Sequence, residues 1–318
     1  MRYIFFVNPV AGTGKEADQL VEDIHVLMRE MRQEFNYKVV ITKGDDDGII
    51  RAQNLARDLQ GEEARFYVAG GDGSINEVLN GVFGYENISI GVIPIGTGND
   101  TVRNFPEAGD FKSLEKQIKG TTKKIDVLKY TGFINGREQT RYCINMFNIG
   151  FDCNVVELTN RLKQKPLLSG SLAYLMAVAG MVIKKKGTSL TIKENGEIIR
   201  EGGMLLCAVS NGSYCGGGIK SAPLAVMDDG EFDINIINDV SRLTFARLFP
   251  GFRKGEHAGN MKGIDEIIEM RKMKTVELIP YGSDDITICV DGEIQSTRGI
   301  KIEVCPRALN FIIPSADD

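Results

Sequence analysis

Hydrophobic positions along the first hundred residues follow two rhythms. Largely apolar runs at 2–7, 37–42, 64–69 and 88–93 predict buried strands. Between them the spacing turns helical. Ala17, Leu20, Val21, Ile24, Leu27, Met28, Met31 and Phe35 repeat at i, i+3, i+4, i+7, and 48–60 and 75–82 predict two further helices. Strand–helix alternation of this kind predicts a mostly parallel sheet with helices on both faces. Past about residue 125 the period drops to two. Strands are predicted at 123–130, 141–148, 188–193, 203–210, 231–237, 275–279, 286–290, 300–304 and 308–313, a β-rich second half of sandwich or barrel type. The most apolar stretch, 167–183, is shorter than the ~20 residues a spanning helix needs. It is flanked by Arg161, Lys163 and Lys165 and by Lys184, Lys185 and Lys186, and reads either as a buried helix or as one that contacts a membrane surface.

The strands of the first half end in glycine-rich turns at 8–15, 70–76 and 94–100. In an open α/β sheet these turns gather at the carboxyl ends of the strands, where ligands bind. Gly70, Gly71 and Gly73 let backbone N–H groups face an anion at the start of a helix. The 8–15 turn departs from Walker A spacing, and the G-x-G-x-x-G dinucleotide fingerprint is absent from it. Two of the turns carry an acid, Asp72 and Asp100, which beside a phosphate calls for a cation such as hydrated Mg²⁺. The alternative for Asp72 is a cap on the following helix. In the second half, Gly216-Gly217-Gly218 implies close approach of backbone to a ligand or a strand. Asp228-Asp229-Gly230 reads as a tight turn or a metal site, and Asp291-Gly292 as a turn that leaves Glu293 either solvated or aimed as a catalytic carboxylate.

Composition narrows the classes. The 318 residues carry a net charge of −5, which gives no basic field for nucleic acid. Six scattered cysteines without a C-x-x-C pair, and only two histidines, argue against a zinc site or a disulfide framework. The chain opens directly on a strand-like run with no signal-peptide layout, so a cytoplasmic protein is expected.

Taken in order, Asn8-Pro9…Gly12-Thr13-Gly14-Lys15, Gly70 to Glu77, Pro94 to Asp100, Gly216-Gly217-Gly218…Ala222-Pro223…Asp228-Asp229-Gly230 and Asp291-Gly292-Glu293 resemble the soluble bacterial diacylglycerol kinases, within the wider group of sphingosine and ceramide kinases. The resemblance implies a phosphofructokinase-like or NAD-kinase-like α/β domain at 1–127, to which the strands of about 300–318 are free to return, and a β-rich sandwich-like domain at 128–299. It implies an ATP- and Mg²⁺-dependent transferase that phosphorylates a lipid hydroxyl in phospholipid metabolism, with diacylglycerol, giving phosphatidic acid, ahead of phosphatidylglycerol or a sphingoid base. By matched position, ATP would meet Asn8, Pro9, Val10, Ala11, Gly12, Thr42, Gly70, Gly71, Asp72, Gly73, Ser74, Ile75, Asn76 and Thr97. Asp72, Asp100 and Asp126 would share an Asp–water–Mg²⁺ network, and Glu293 would be the general base. A second, structural Mg²⁺ would take the Asp229 side chain and the carbonyls of Val226 and Glu231. The chain departs from the family at Ser74, usually Thr, and at Glu231, often apolar. The implied partners are the lipid substrate and a transient contact at the inner membrane face, with no nucleic acid and a homodimer left open. Two other functions compete: an NAD kinase, which shares the Gly-Gly-Asp-Gly turn, and a lipid-sensing protein that has lost catalysis.

Overall fold

The computed structural model describes residues 1–12, 15–33, 36–44, 46–150, 153, 187–259, 263–282 and 285–316. The apolar stretch at 167–183 and its basic flanks lie outside the described residues. The chain divides into two units, Met1–Ile125 with Arg307–Asp318, and Asp126–Pro306.

In the first unit β1 (Arg2–Val7) lies between β2 (Tyr37–Ile41) and β3 (Ala64–Gly70), and β3 pairs on with β4 (Ile88–Pro94), all in parallel. The sheet strands are mostly apolar because helices shield them. Ala17, Ile24 and Met28 of α1 (Lys15–Glu30) pack with Phe5, Val7, Tyr67 and Ala69. Two more helices follow strands, α2 (Asp47–Asp58) and α3 (Asp72–Val82), before the short α4 (Leu114–Lys119). At Gly81 an added Cβ would meet the Ile49 carbonyl at 2.6 Å and the Ala52 Cβ at 2.7 Å, so glycine sets the spacing of α2 and α3. The chain's last strand returns here. Asn310 and Phe311 pair in parallel with Ser89 and Ile90, and Phe311 stacks on Phe105 at 4.9 Å.

The second unit is antiparallel. The strands are β5 (Thr121–Ile134), β6 (Arg137–Cys143), β7 (Met146–Gly150), β8 (Thr188–Glu194), β9 (Glu197–Met204), β10 (Leu206–Ser210), β11 (Phe232–Ile237), β12 (Ile268–Met273), β13 (Thr275–Pro280), β14 (Ile286–Val290) and β15 (Glu293–Ile313). The sheet runs β12-β11-β10-β7-β14-β15, while β5 and β6, and β13 with β8 and β9, branch from β15. Tyr130, Phe147, Val209, Phe232, Leu278 and Ile302 centre its core. The unit boundaries fall inside β5 and β15. Residues 300–304 and 308–313 therefore belong to one strand, with Arg307 at φ 50 marking the point of change.

The pattern does not predict the helix α5 (Arg242–Lys254) or β12. The signal for α5 is present: Phe245, Leu248, Phe249 and Phe252 are at helical spacing, Ser241 caps the start by accepting from Thr244 N–H, and Gly255 closes the end at φ 79. Pro250 inside the helix obscures that signal.

Candidate functional site

The first unit brings its three glycine-rich turns into contact. The Asn8 side chain donates to Ser74 Oγ at 3.0 Å and accepts from Val10 N–H at 3.1 Å, which joins the first turn to the second. Gly96 N–H donates to the Gly70 carbonyl at 3.1 Å, which joins the second to the third. An added Cβ on Gly96 would lie 2.5 Å from Gly71 Cα, so two backbones meet here with no room for a side chain. Gly12, at φ 62, would set a Cβ 2.5 Å from the Ile95 carbonyl. Thr42 is buried beside the same turns, its N–H donating to the Val7 carbonyl at 3.0 Å, while Val10 and Thr97 are exposed.

The α3 helix starts at Asp72, three residues before the expected Ile75, with Gly71 at its N-cap and no side-chain cap. An uncapped helix start is open to an anion. Asp72 does not cap this helix either. Its Oδ2 accepts from Asp100 N–H at 3.1 Å, and its Oδ1 accepts from Thr101 N–H at 2.9 Å and Thr101 Oγ at 2.8 Å. Asp100 is buried, and Arg103 Nε approaches its Oδ1 to 3.6 Å. The two acids are thus held side by side on a braced turn. Ile75 and Asn76 are buried in the helix, and Glu77, which the pattern does not mark, accepts from Gly48 N–H at 3.2 Å at the start of α2.

Asp126 and Glu293 belong to the second unit. Asp126 is fully buried, and its Oδ2 accepts from Gly230 N–H at 2.7 Å, which ties it to the Asp-Asp-Gly turn. On that turn Asp229 Oδ1 accepts from Glu231 N–H at 3.1 Å, its Oδ2 lies 2.6 Å from Lys272 Nζ, and Val226 is exposed. Gly216, Gly217 and Gly218 all take positive φ, 58, 81 and 111, and an added Cβ on Gly217 would meet nothing within 4 Å. At Gly217 the observed demand is therefore for a left-handed backbone.

Asp291 and Gly292 form a two-residue hairpin between β14 and β15 at φ 48 and φ 91, as Asp-Gly prefers. Sequence marks Asp291 only as a turn residue. In the structure it is buried and gathers Ile144 N–H and Asn145 N–H at 2.9 Å, Met146 N–H at 3.1 Å and the Cys143 thiol at 3.2 Å. Burial first, and then this carboxylate, push the Cys143 thiol well up. The bracing fixes the hairpin on which Glu293, opposite Val290, stands exposed.

An apolar pocket lies between α5 and the ends of β10, β11 and β12. Its lining includes Leu205, Ile237, Phe245, Leu248, Phe249 and Ile268, and every side chain in it is a hydrocarbon. Next to α5, His257 is buried, stacks on Phe252 at 4.5 Å and places Nε2 3.2 Å from the Ser221 carbonyl, so Nε2 carries the proton. Burial pulls its pKa down. A depressed histidine contributes stability above its unfolded pKa of about 6.5 that is lost as pH falls. Denaturant titrations at pH 7.5 and 5.5 should therefore show weakening by at most about 1.4 kcal/mol per pH unit from this group, and His257→Gln should remove that part of the slope.

Residues 2–130 match the diacylglycerol kinase catalytic domain, and residues 145–313 match the YegS C-terminal NAD kinase beta sandwich-like domain. A diacylglycerol kinase of Bacillus subtilis is 33% identical over 229 residues, covering 71% of this chain and 69% of that protein. The crystal structure of a diacylglycerol kinase from Bacillus anthracis superposes with a TM-score of 0.68 at 21% identity, over 98% of this chain and 96% of that one. Yeast NADH kinase in complex with NADH is also similar, with a TM-score of 0.50 at 9% identity over 100% of this chain and 84% of that one. At these identities the two structures speak to fold alone.

Proposed function

The chain belongs to the diacylglycerol kinase family of ATP-dependent kinases, and from that premise we propose that it phosphorylates the free hydroxyl of diacylglycerol to give phosphatidic acid. The observation that carries the lipid acceptor is the wholly hydrocarbon pocket beneath α5. It offers an acyl chain a dry surface, and it offers the ribose and phosphates of NAD no polar partner. The NADH kinase likeness keeps a nucleotide acceptor as the competing reading, because the fold serves both.

For the donor, the supporting features are the uncapped start of α3 and the interlocked turns at Asn8–Gly12, Gly70–Asn76 and Gly96–Thr97, near which Thr42 lies buried. Their backbone amides would orient the phosphates and offset their charge. Asp72 already accepts three donors from its own chain, of the roughly four lone-pair sites a carboxylate has. That fits a Mg²⁺ held through water better than one bound directly. We assign Asp72, Asp100 and Asp126 to that role. Mg²⁺, when bound, supplies positive charge against the phosphates. Glu293 would take the proton of the lipid hydroxyl, a weak nucleophile without help. The working place is the inner membrane face, where the acceptor resides; among the described residues no helix is long and apolar enough to cross a membrane.

The test is labelled ATP and Mg²⁺ with mixed micelles of diacylglycerol, phosphatidylglycerol or a sphingoid base, and a separate arm with soluble NAD. Labelled phosphatidic acid is the expected product, and label on NAD would overturn the lipid reading. Phe249→Asp should raise KM for long-chain diacylglycerol about tenfold, the loss of roughly 1.4 kcal/mol, and should change KM for a short-chain analogue less. Equal effects on both would remove the pocket from acyl recognition.

A further inference from the structure

We propose that Lys272 takes the place of the structural Mg²⁺ that the family resemblance puts at Asp229, so that the 228–231 turn carries its own cation and folds without a divalent metal. Both oxygens of Asp229 are engaged by the chain: Oδ1 accepts from Glu231 N–H at 3.1 Å, and Oδ2 lies 2.6 Å from Lys272 Nζ. The same ammonium lies 3.2 Å from Asp233 Oδ2. A Mg²⁺ bound to Asp229 would sit ~2.0–2.1 Å from its oxygen, and at Oδ2 that is beside the ammonium, where the two cations repel.

The position of Lys272 follows from the sheet. On β11 and β12, Asp233 and Lys272 are directly paired across the ladder, and opposite charges at such a position attract. Asp229 lies four residues before Asp233, on the turn that leads into β11, so one side chain from β12 serves both acids. Asp233 is buried, with that ammonium as its neighbour. Without Lys272 the buried Asp233 and its neighbour Asp229 would face each other uncompensated, which is the situation a divalent ion relieves. Asp126 braces the same turn through Gly230 N–H, so its integrity reaches one of the proposed catalytic acids.

The readout is stability of the full chain without nucleotide, which is independent of the kinase reading. Thermal melts are run in EDTA and in millimolar MgCl₂ for wild type, Lys272→Met, Asp229→Asn and the double variant. Subtracting the Mg²⁺ response of Asp229→Asn removes any effect of metal bound elsewhere. After that subtraction, wild type should melt at the same temperature in both buffers. Lys272→Met should melt several degrees lower in EDTA and recover at least half of the loss in Mg²⁺, and the double variant should show no recovery. The proposal is overturned by a wild type that loses several degrees in EDTA through Asp229. It is equally overturned by a Lys272→Met protein that is as stable as wild type in EDTA, or that Mg²⁺ does not rescue.

Discussion

Glu293→Gln is expected to lower turnover by about 10²–10⁴-fold and to leave nucleotide affinity unchanged. The substitution keeps the shape of the side chain, and Glu293 is exposed at the first position of β15, so the core packing is left in place. What it removes is a proton acceptor. The lipid hydroxyl must lose its proton as the new P–O bond forms, and an amide cannot take it. Steady-state kinetics on diacylglycerol micelles, with parallel equilibrium binding of a non-hydrolysable ATP analogue, separate the two quantities. Turnover within a few-fold of wild type would return Glu293 to the status of a solvated turn residue.

Asp291→Ala should act on stability before it acts on chemistry. It strips the acceptor from Ile144 N–H, Asn145 N–H and Met146 N–H in a buried place that water does not readily reach. A buried unsatisfied donor costs about 1–3 kcal/mol, so three of them amount to about 3 kcal/mol or more, against a total stability of about 5–15 kcal/mol. For a unit of this size that corresponds to a fall in Tm of about 6–12 °C. Asp291→Asn, which keeps one acceptor oxygen, should fall between Ala and wild type. A Tm within a degree of wild type for Asp291→Ala would mean that the four contacts do not brace the hairpin. The pair of variants also separates the two acids of one Asp-Gly-Glu turn: Glu293→Gln should be stable and slow, and Asp291→Ala should be unstable.

Much of this protein was legible without coordinates, for reasons of local physics. Shielded parallel strands must be mostly apolar, so β1 to β4 stand out as runs. Asp-Gly at 291–292 announced a turn because only a few residues tolerate positive φ. The glycine-rich turns announced an anion site because a side chain would block the approach of backbone. The order of those turns along the chain also carried the family, since a motif is a local arrangement of residue types.

Tertiary structure alone decided which groups meet. Nothing local tells that Asp72 turns away from its own helix to Asp100 and Thr101, or that Asp126 receives the amide of a residue 104 positions away. Nor does anything local tell that Asp291 collects donors from the segment 143–146. Lys272 is one charge among many in the sequence, and only the pairing of β11 with β12 sets it against Asp233 and Asp229. Helix α5 was hidden because Pro250 lowers local helix propensity while packing of its aromatic face against the sheet outweighs that loss. The residue types therefore determined the elements, the turns and the class of chemistry. Sheet register and chain return decided the partners of each charge, because a carboxylate's role depends on which donors and cations come within about 3 Å of it, and those come from distant parts of the chain.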